Sequence, residues 1–102
     1  MTDTPGGEAA ADPETARLKR LRIRCWRRGI KEMDLLLGPY ADALLAGTIR
    51  TDLDAFEALI AEGDQELYRW LSGAAPGPED HAAALAAVME FHGIAGGKVA
   101  QR

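Results

Sequence analysis

The sequence predicts an all-α protein, a small five-helix bundle behind a disordered N-terminal tail, and three observations carry that prediction. Alanine and leucine dominate residues 14–93 while valine, isoleucine and threonine are scarce, a balance that favours helix over sheet. Apolar residues recur at three- and four-residue spacing in successive segments. Glycine and proline separate those segments at short intervals, so the connections are short and sequential helices are neighbours. The 102 residues suffice for one domain, read as 14–93 between a disordered stretch 1–13 and a frayed tail 94–102.

Residues 1–13 hold Gly, Pro, Thr, Asp and Ala with no periodicity. Asp12 followed by Pro13 reads as an N-cap and a first helical position. The first helix extends to Trp26 or Arg28, with Leu18, Leu21 and Cys25 on a narrow apolar stripe and Arg17, Arg20, Arg24 and Arg27 beside it. Such a thin stripe must dock on the rest of the domain. Gly29 ends or kinks this helix, because glycine costs about 1 kcal/mol against alanine in a helix interior. The second helix carries Met33, Leu36, Leu37, Tyr40 and Leu44 and stops at Gly47. Gly38-Pro39 is expected to kink or break it, with Tyr40 packed against the kink. Thr51-Asp52-Leu53-Asp54 has the form of a capping box opening a third helix through Phe56, Leu59 and Ile60 to Gly63. Asp64 is expected to cap a fourth helix through Leu67, Tyr68, Trp70 and Leu71, all read as core. A loop over 72–78 leads to the fifth helix, from Pro78 to His92, with Leu85, Val88 and Met89 inward and Gly93 closing it.

The charge pattern is uneven. Residues 1–16 hold four acids and no base, residues 17–31 hold eight bases and no acid, and the remainder holds twelve acids against four bases, for a net charge of −4. The basic run suits an anionic partner. A small basic-faced module for nucleic acid or another acidic partner is therefore one reading, and the acidic total and the lack of a recognition helix weigh against nucleic acid. No run is long and apolar enough to cross a membrane. The acidic N-terminus reads as neither signal nor transit peptide, and the single Cys25 indicates a reducing compartment, taken as the cytoplasm. His81 and His92 lie three turns apart and cannot share a metal, so neither a metal site nor a catalytic site is expected. Cys25 reads as a small core residue.

The basic run ends at Arg27-Arg28-Gly29-Ile30-Lys31-Glu32-Met33-Asp34, and three readings of that stretch compete. Gly29 supplies a turn and Glu32 meets the dipole of the next helix. Alternatively, Arg28 and Glu32 make a surface ion pair in the weaker helical order. In the third reading the stretch is a recognition surface: Arg28 offers a planar fork of donors to a carboxylate or phosphate, and Gly29 admits a partner's backbone. Trp26 is either a contact anchor or core.

This stretch, with Trp26 before it and Leu35-Leu36-Leu37 after it, resembles the RGxxE motif region of the succinate dehydrogenase assembly factor 2 family, the bacterial flavinylation factors called SdhE and their mitochondrial relatives. The family pattern is Arg-Arg-Gly-Met-x-Glu-Leu-Asp, from which Ile30 and Met33 depart conservatively. Leu67-Tyr68-Arg69-Trp70-Leu71 resembles the family's aromatic-x-Trp-Leu segment, and the resemblance extends from about residue 17 to residue 92. It implies a non-enzymatic assembly factor that promotes covalent attachment of FAD to the flavoprotein subunit of succinate dehydrogenase, and of fumarate reductase where present. It also implies a partner-binding surface made of Arg28, Gly29 and Glu32 with Arg27, Asp34 and Trp26 as neighbours. No stably bound cofactor is expected, since the chain lacks a Gly-rich strand-to-helix turn of the dinucleotide kind. The expected free state is a monomer with no inserted membrane segment and no nucleic acid.

Overall fold

The computed structural model describes residues 12–95 and 98–99. Five α-helices follow one another: α1 (Pro13–Trp26), α2 (Lys31–Ala46), α3 (Leu53–Ile60), α4 (Asp64–Leu71) and α5 (Ala82–Phe91), the last entered through a single 3₁₀ turn (Glu79–His81). The fold is the all-α five-helix bundle that the sequence predicts. Beyond it, Ile94–Ala95 pairs antiparallel with Lys98–Val99, a two-residue ladder in the stretch expected to fray. The other residues of the two expected tails, 1–11, 96–97 and 100–102, lie outside the described residues.

Helix α1 begins as its sequence dictates, with the Asp12 carboxylate accepting from the Thr15 N–H at 3.0 Å and Pro13 at the first position. Its stripe of Leu18, Leu21 and Cys25 is buried against α2, whose inner face contributes Met33, Leu37, Tyr40 and Leu44. Phe56, Leu59 and Ile60 of α3, Leu67 and Leu71 of α4, and Val88 of α5 complete one continuous core.

Four local expectations are corrected. Helix α2 continues through Gly38-Pro39, which removes the break that was one of the two outcomes expected there. Pro39 cannot donate to the Leu35 carbonyl, yet Leu35 lies on the outer surface at 52% exposure, where water can serve that oxygen. The partner of this segment is Trp26 and not Tyr40: a Cβ on Gly38 would stand 2.4 Å from Trp26 Cε2, so only glycine lets the indole lie on the helix. Tyr40 instead packs on Phe56 and Phe91, with ring centroids 5.1 and 5.5 Å apart. At α3 the cap is Asp52 and not Thr51, its carboxylate accepting from the N–H groups of Asp54 and Ala55. At α4 the cap position falls to Gly63, because the carboxylate of Asp64 is engaged elsewhere.

Candidate partner-binding face

Between α1 and α2 the chain reverses over four residues. Arg27 closes α1, its N–H reaching the Arg24 carbonyl, and Ile30 opens α2 without a side-chain cap. Gly29, between them, has φ +97°, a conformation that strains any L side chain. A Cβ at Gly29 would meet nothing within 4 Å, so backbone conformation, not crowding, demands glycine here.

Arg28 is the most heavily engaged side chain of the junction. Its Nε donates to Asp64 Oδ1 at 2.6 Å, Nη1 to the Ile60 carbonyl at 2.6 Å and Nη2 to the Glu62 carbonyl at 2.9 Å. Its backbone N–H donates to Asp34 Oδ1 at 2.8 Å. The Arg28 and Asp64 side chains retain only 10% and 17% of their exposure. The guanidinium thus plugs the C-terminal end of α3, where helical carbonyls lack donors, and ties it to the start of α4.

The expectation that Arg28 offers a free fork to a partner is corrected by this geometry: the fork is spent inside the molecule, and the ion partner is Asp64 instead of Glu32. Asp34 is likewise turned inward as the acceptor for Arg28. Trp26 is half-buried, its indole on Gly38 and its N–H donating to Asp42 Oδ1 at 3.2 Å. Of the six residues assigned to the partner surface, Arg27, Gly29 and Glu32 are exposed.

Glu32 stands on the rim of a groove of about 490 Å³ lined also by Ile30, Gln65, Tyr68 and Arg69. Tyr68, expected in the core, is 44% exposed. The signal was present in α4: Gln65, Tyr68 and Arg69 share three- and four-residue spacing on one face, while Leu67 and Leu71 define the buried one. The groove therefore joins the RGxxE segment to the aromatic-x-Trp-Leu segment. It presents an apolar floor, a phenol, one carboxylate and one guanidinium. Among the described residues neither Glu32 nor Arg69 has a charged partner of its own.

Electrostatics divide the basic run in two. Arg17 and Arg24 pair with Glu57 on α3, Arg17 also with Asp54, Arg22 with Asp42 on α2, and Arg28 with Asp64 on α4. Arg22 and the Trp26 N–H hold the Asp42 carboxyl below its ordinary range, and Arg17 does the same for Glu57. Lys19, Arg20, Arg27 and Lys31 have no such partner among the described residues. Burial pushes the Cys25 thiol up to about 12, so this cysteine is an inert core residue despite its arginine neighbours.

Residues 19–92 match the model of a protein family described as "Flavinator of succinate dehydrogenase". The chain belongs to this family. Among its relatives, the protein named FAD assembly factor SdhE of Acetobacter pasteurianus is 36% identical over 73 residues, covering 72% of this chain and 67% of that one. Mitochondrial succinate dehydrogenase assembly factor 2 of Debaryomyces hansenii is 37% identical over 59 residues, or 56% of this chain and 42% of its own. The Aspergillus terreus protein of the same name is 32% identical over 69 residues, 68% of this chain and 23% of its own. This chain thus matches two thirds of the bacterial relative's length and less than half of the two mitochondrial ones. No solved structure matches it.

The two histidines are accounted for by contacts within the fold. His81 Nε2 lies 2.8 Å from Glu62 Oε2, and His92 Nε2 lies 2.6 Å from the Leu36 carbonyl. Among the described residues no three of His, Cys, Asp and Glu gather as metal ligands, and no helix is long and apolar enough to cross a membrane.

Proposed function

We propose that the chain is an assembly factor that promotes covalent attachment of FAD to the flavoprotein subunit of succinate dehydrogenase, and to that of fumarate reductase where the cell makes it. The observation that carries this reading is the convergence, on one groove, of Glu32 from the RGxxE segment and Tyr68 and Arg69 from the second segment that resembles the family. The factor binds the flavoprotein by this face and leaves the chemistry to the client. Glu32 and Arg69 make charge-assisted hydrogen bonds to client groups, Tyr68 and Ile30 cover an apolar patch, and the exposed turn at Gly29 brings backbone close. Arg28 acts from inside, fixing that turn relative to α4.

FAD is the client's group in this account. The groove is open and shallow, has one guanidinium for a diphosphate, and lacks a glycine-rich phosphate cradle, so the factor holds no flavin of its own. The protein works in the bacterial cytoplasm as a monomer until it meets the client, without nucleic acid or membrane insertion. Pairing of Arg17, Arg22, Arg24 and Arg28 with internal acids supports this over nucleic-acid binding, because half of the basic run is neutralised before any partner arrives.

The test is a pull-down with the purified chain from extract of its own organism, probed for the flavoprotein subunit. Recovery of that subunit by the wild type, and its loss with Tyr68→Ala, is the expected result. Failure of the wild type to retain it sinks the proposal.

A further inference from the structure

The four cations of the basic run that find no partner among the described residues are not scattered. At about 100° per residue, Lys19, Arg20, Ile23 and Arg27 fall within roughly a third of the circumference of α1, diametrically opposite the buried Leu18, Leu21 and Cys25. The flanks of the helix behave differently: Arg17 and Arg24 lean to α3 and Arg22 to α2, where acids meet them. Between Lys19 and Arg27 the crown carries no acid, and the next exposed cation along the chain is Lys31, past the Gly29 turn. Ordinary solvent-facing helices mix both signs, which keeps the local field small.

At the centre of this crown Ile23 is 53% exposed. Beside it a cleft of about 220 Å³ opens between α1 and α2, lined by Arg22, Ile23, Trp26, Arg27 and Asp42. Cations around one exposed apolar side chain and a small cleft fit an acidic polypeptide segment with an apolar residue of its own. A phosphate backbone has nothing to place against Ile23, and the acids of α2 to α5 repel a long polyanion. Along the chain the crown leads to the groove: the exposed Arg27 and Lys31 flank the Gly29 turn, and Glu32 on the groove follows.

We infer that the crown of α1 is a second docking strip, and that its occupant is an acidic, apolar-bearing segment of the same protein that fills the groove. This rests on the functional reading above and extends it: the groove supplies the short-range fit, and the crown supplies steering and a second anchor. Charges of this kind act chiefly on association rate, and an apolar anchor chiefly on dissociation.

The test measures association and dissociation rates of the purified flavoprotein subunit with immobilised wild type, Arg20→Glu, Ile23→Gln and Arg50→Glu, each folded by circular dichroism. Salt is varied so that the screening length falls from about 10 Å to about 3 Å. Arg50 is exposed and lies off the crown, so its reversal controls for net charge. Arg20→Glu should slow association about tenfold at low salt, with the difference vanishing at high salt, and Ile23→Gln should speed dissociation several-fold. Arg50→Glu should match wild type. Crown variants that bind like wild type overturn the inference while leaving the functional reading intact; a wild type that does not bind the flavoprotein removes both. A shift of generic duplex DNA by wild type that Arg20→Glu abolishes would assign the crown to nucleic acid and likewise overturn it.

Discussion

Replacing Arg28 by alanine should unfold this protein far more readily than replacing its neighbour Arg27. The guanidinium makes three charge-assisted bonds of 2.6–2.9 Å, to Asp64 and to the carbonyls of Ile60 and Glu62, with only a tenth of its surface exposed. Deleting it strands a carboxylate that keeps 17% exposure and leaves two carbonyls without those donors. Breaking a buried pair costs about 3–5 kcal/mol, and partial rehydration of Asp64 brings the expectation to the low end, about 3 kcal/mol. A domain of this size has roughly 5–10 kcal/mol in all, so the melting temperature should fall by about 12 °C or more. Arg28→Lys keeps the charge but cannot span three acceptors, and should lose about 2 kcal/mol. Arg27→Ala, at an exposed position with no ion partner among the described residues, should stay within about 0.5 kcal/mol of wild type. Urea unfolding followed by tryptophan fluorescence measures all three. An Arg28→Ala cost below about 1 kcal/mol would mean that the side chain is not clamped, and the inward assignment would be wrong.

Other consequences follow from the same geometry. Gly29→Ala must adopt positive φ and should cost about 1–2 kcal/mol in thermal unfolding, although nothing crowds the new methyl group. Gly38→Ala places a methyl group into the Trp26 indole and should cost about 1–3 kcal/mol while shifting the tryptophan emission. Cys25 should resist Ellman's reagent in the native protein and react only as fast as the chain opens. Its raised pKa also makes stability fall as pH climbs above about 9, where the unfolded thiol ionises first. On the acid side Asp42 and Glu57 have lowered folded-state pKa values, so their contribution is complete above their ordinary values and is lost as pH falls through the lowered ones. Acid unfolding of an Asp42→Asn/Glu57→Gln double variant should accordingly show a flatter limb below about pH 4.5 than wild type.

Helix number, order and most of the core were legible because they depend on local pattern. Leu18/Leu21/Cys25 and Leu85/Val88/Met89 follow the helical period, and Asp12-Pro13 is a self-contained start signal. The partners of Arg28 were not legible. Glu32 is the neighbour that a helical count suggests, whereas Asp64 and the carbonyls of residues 60 and 62 are 32–36 residues away and meet Arg28 only when α3 and α4 fold back on the junction. The same long-range claim on Asp64 explains why it does not cap α4. Glycine at 38 read as a breaker because its service to Trp26 is a tertiary contact. The motif drew attention to this turn, but which of its side chains face outward is a property of packing. Tyr68 erred the other way: aromatic character suggested core, and only its position on the α4 flank places it beside Glu32.

The most direct test follows from Glu32, which is exposed, unpaired among the described residues and on the groove rim. In cells whose only copy carries Glu32→Ala, covalent flavin on the succinate dehydrogenase flavoprotein can be read as in-gel fluorescence, with the variant's abundance and melting temperature checked alongside. The expected result is loss of that fluorescence with the variant present and as stable as wild type; full fluorescence would contradict the assignment of this face to the client.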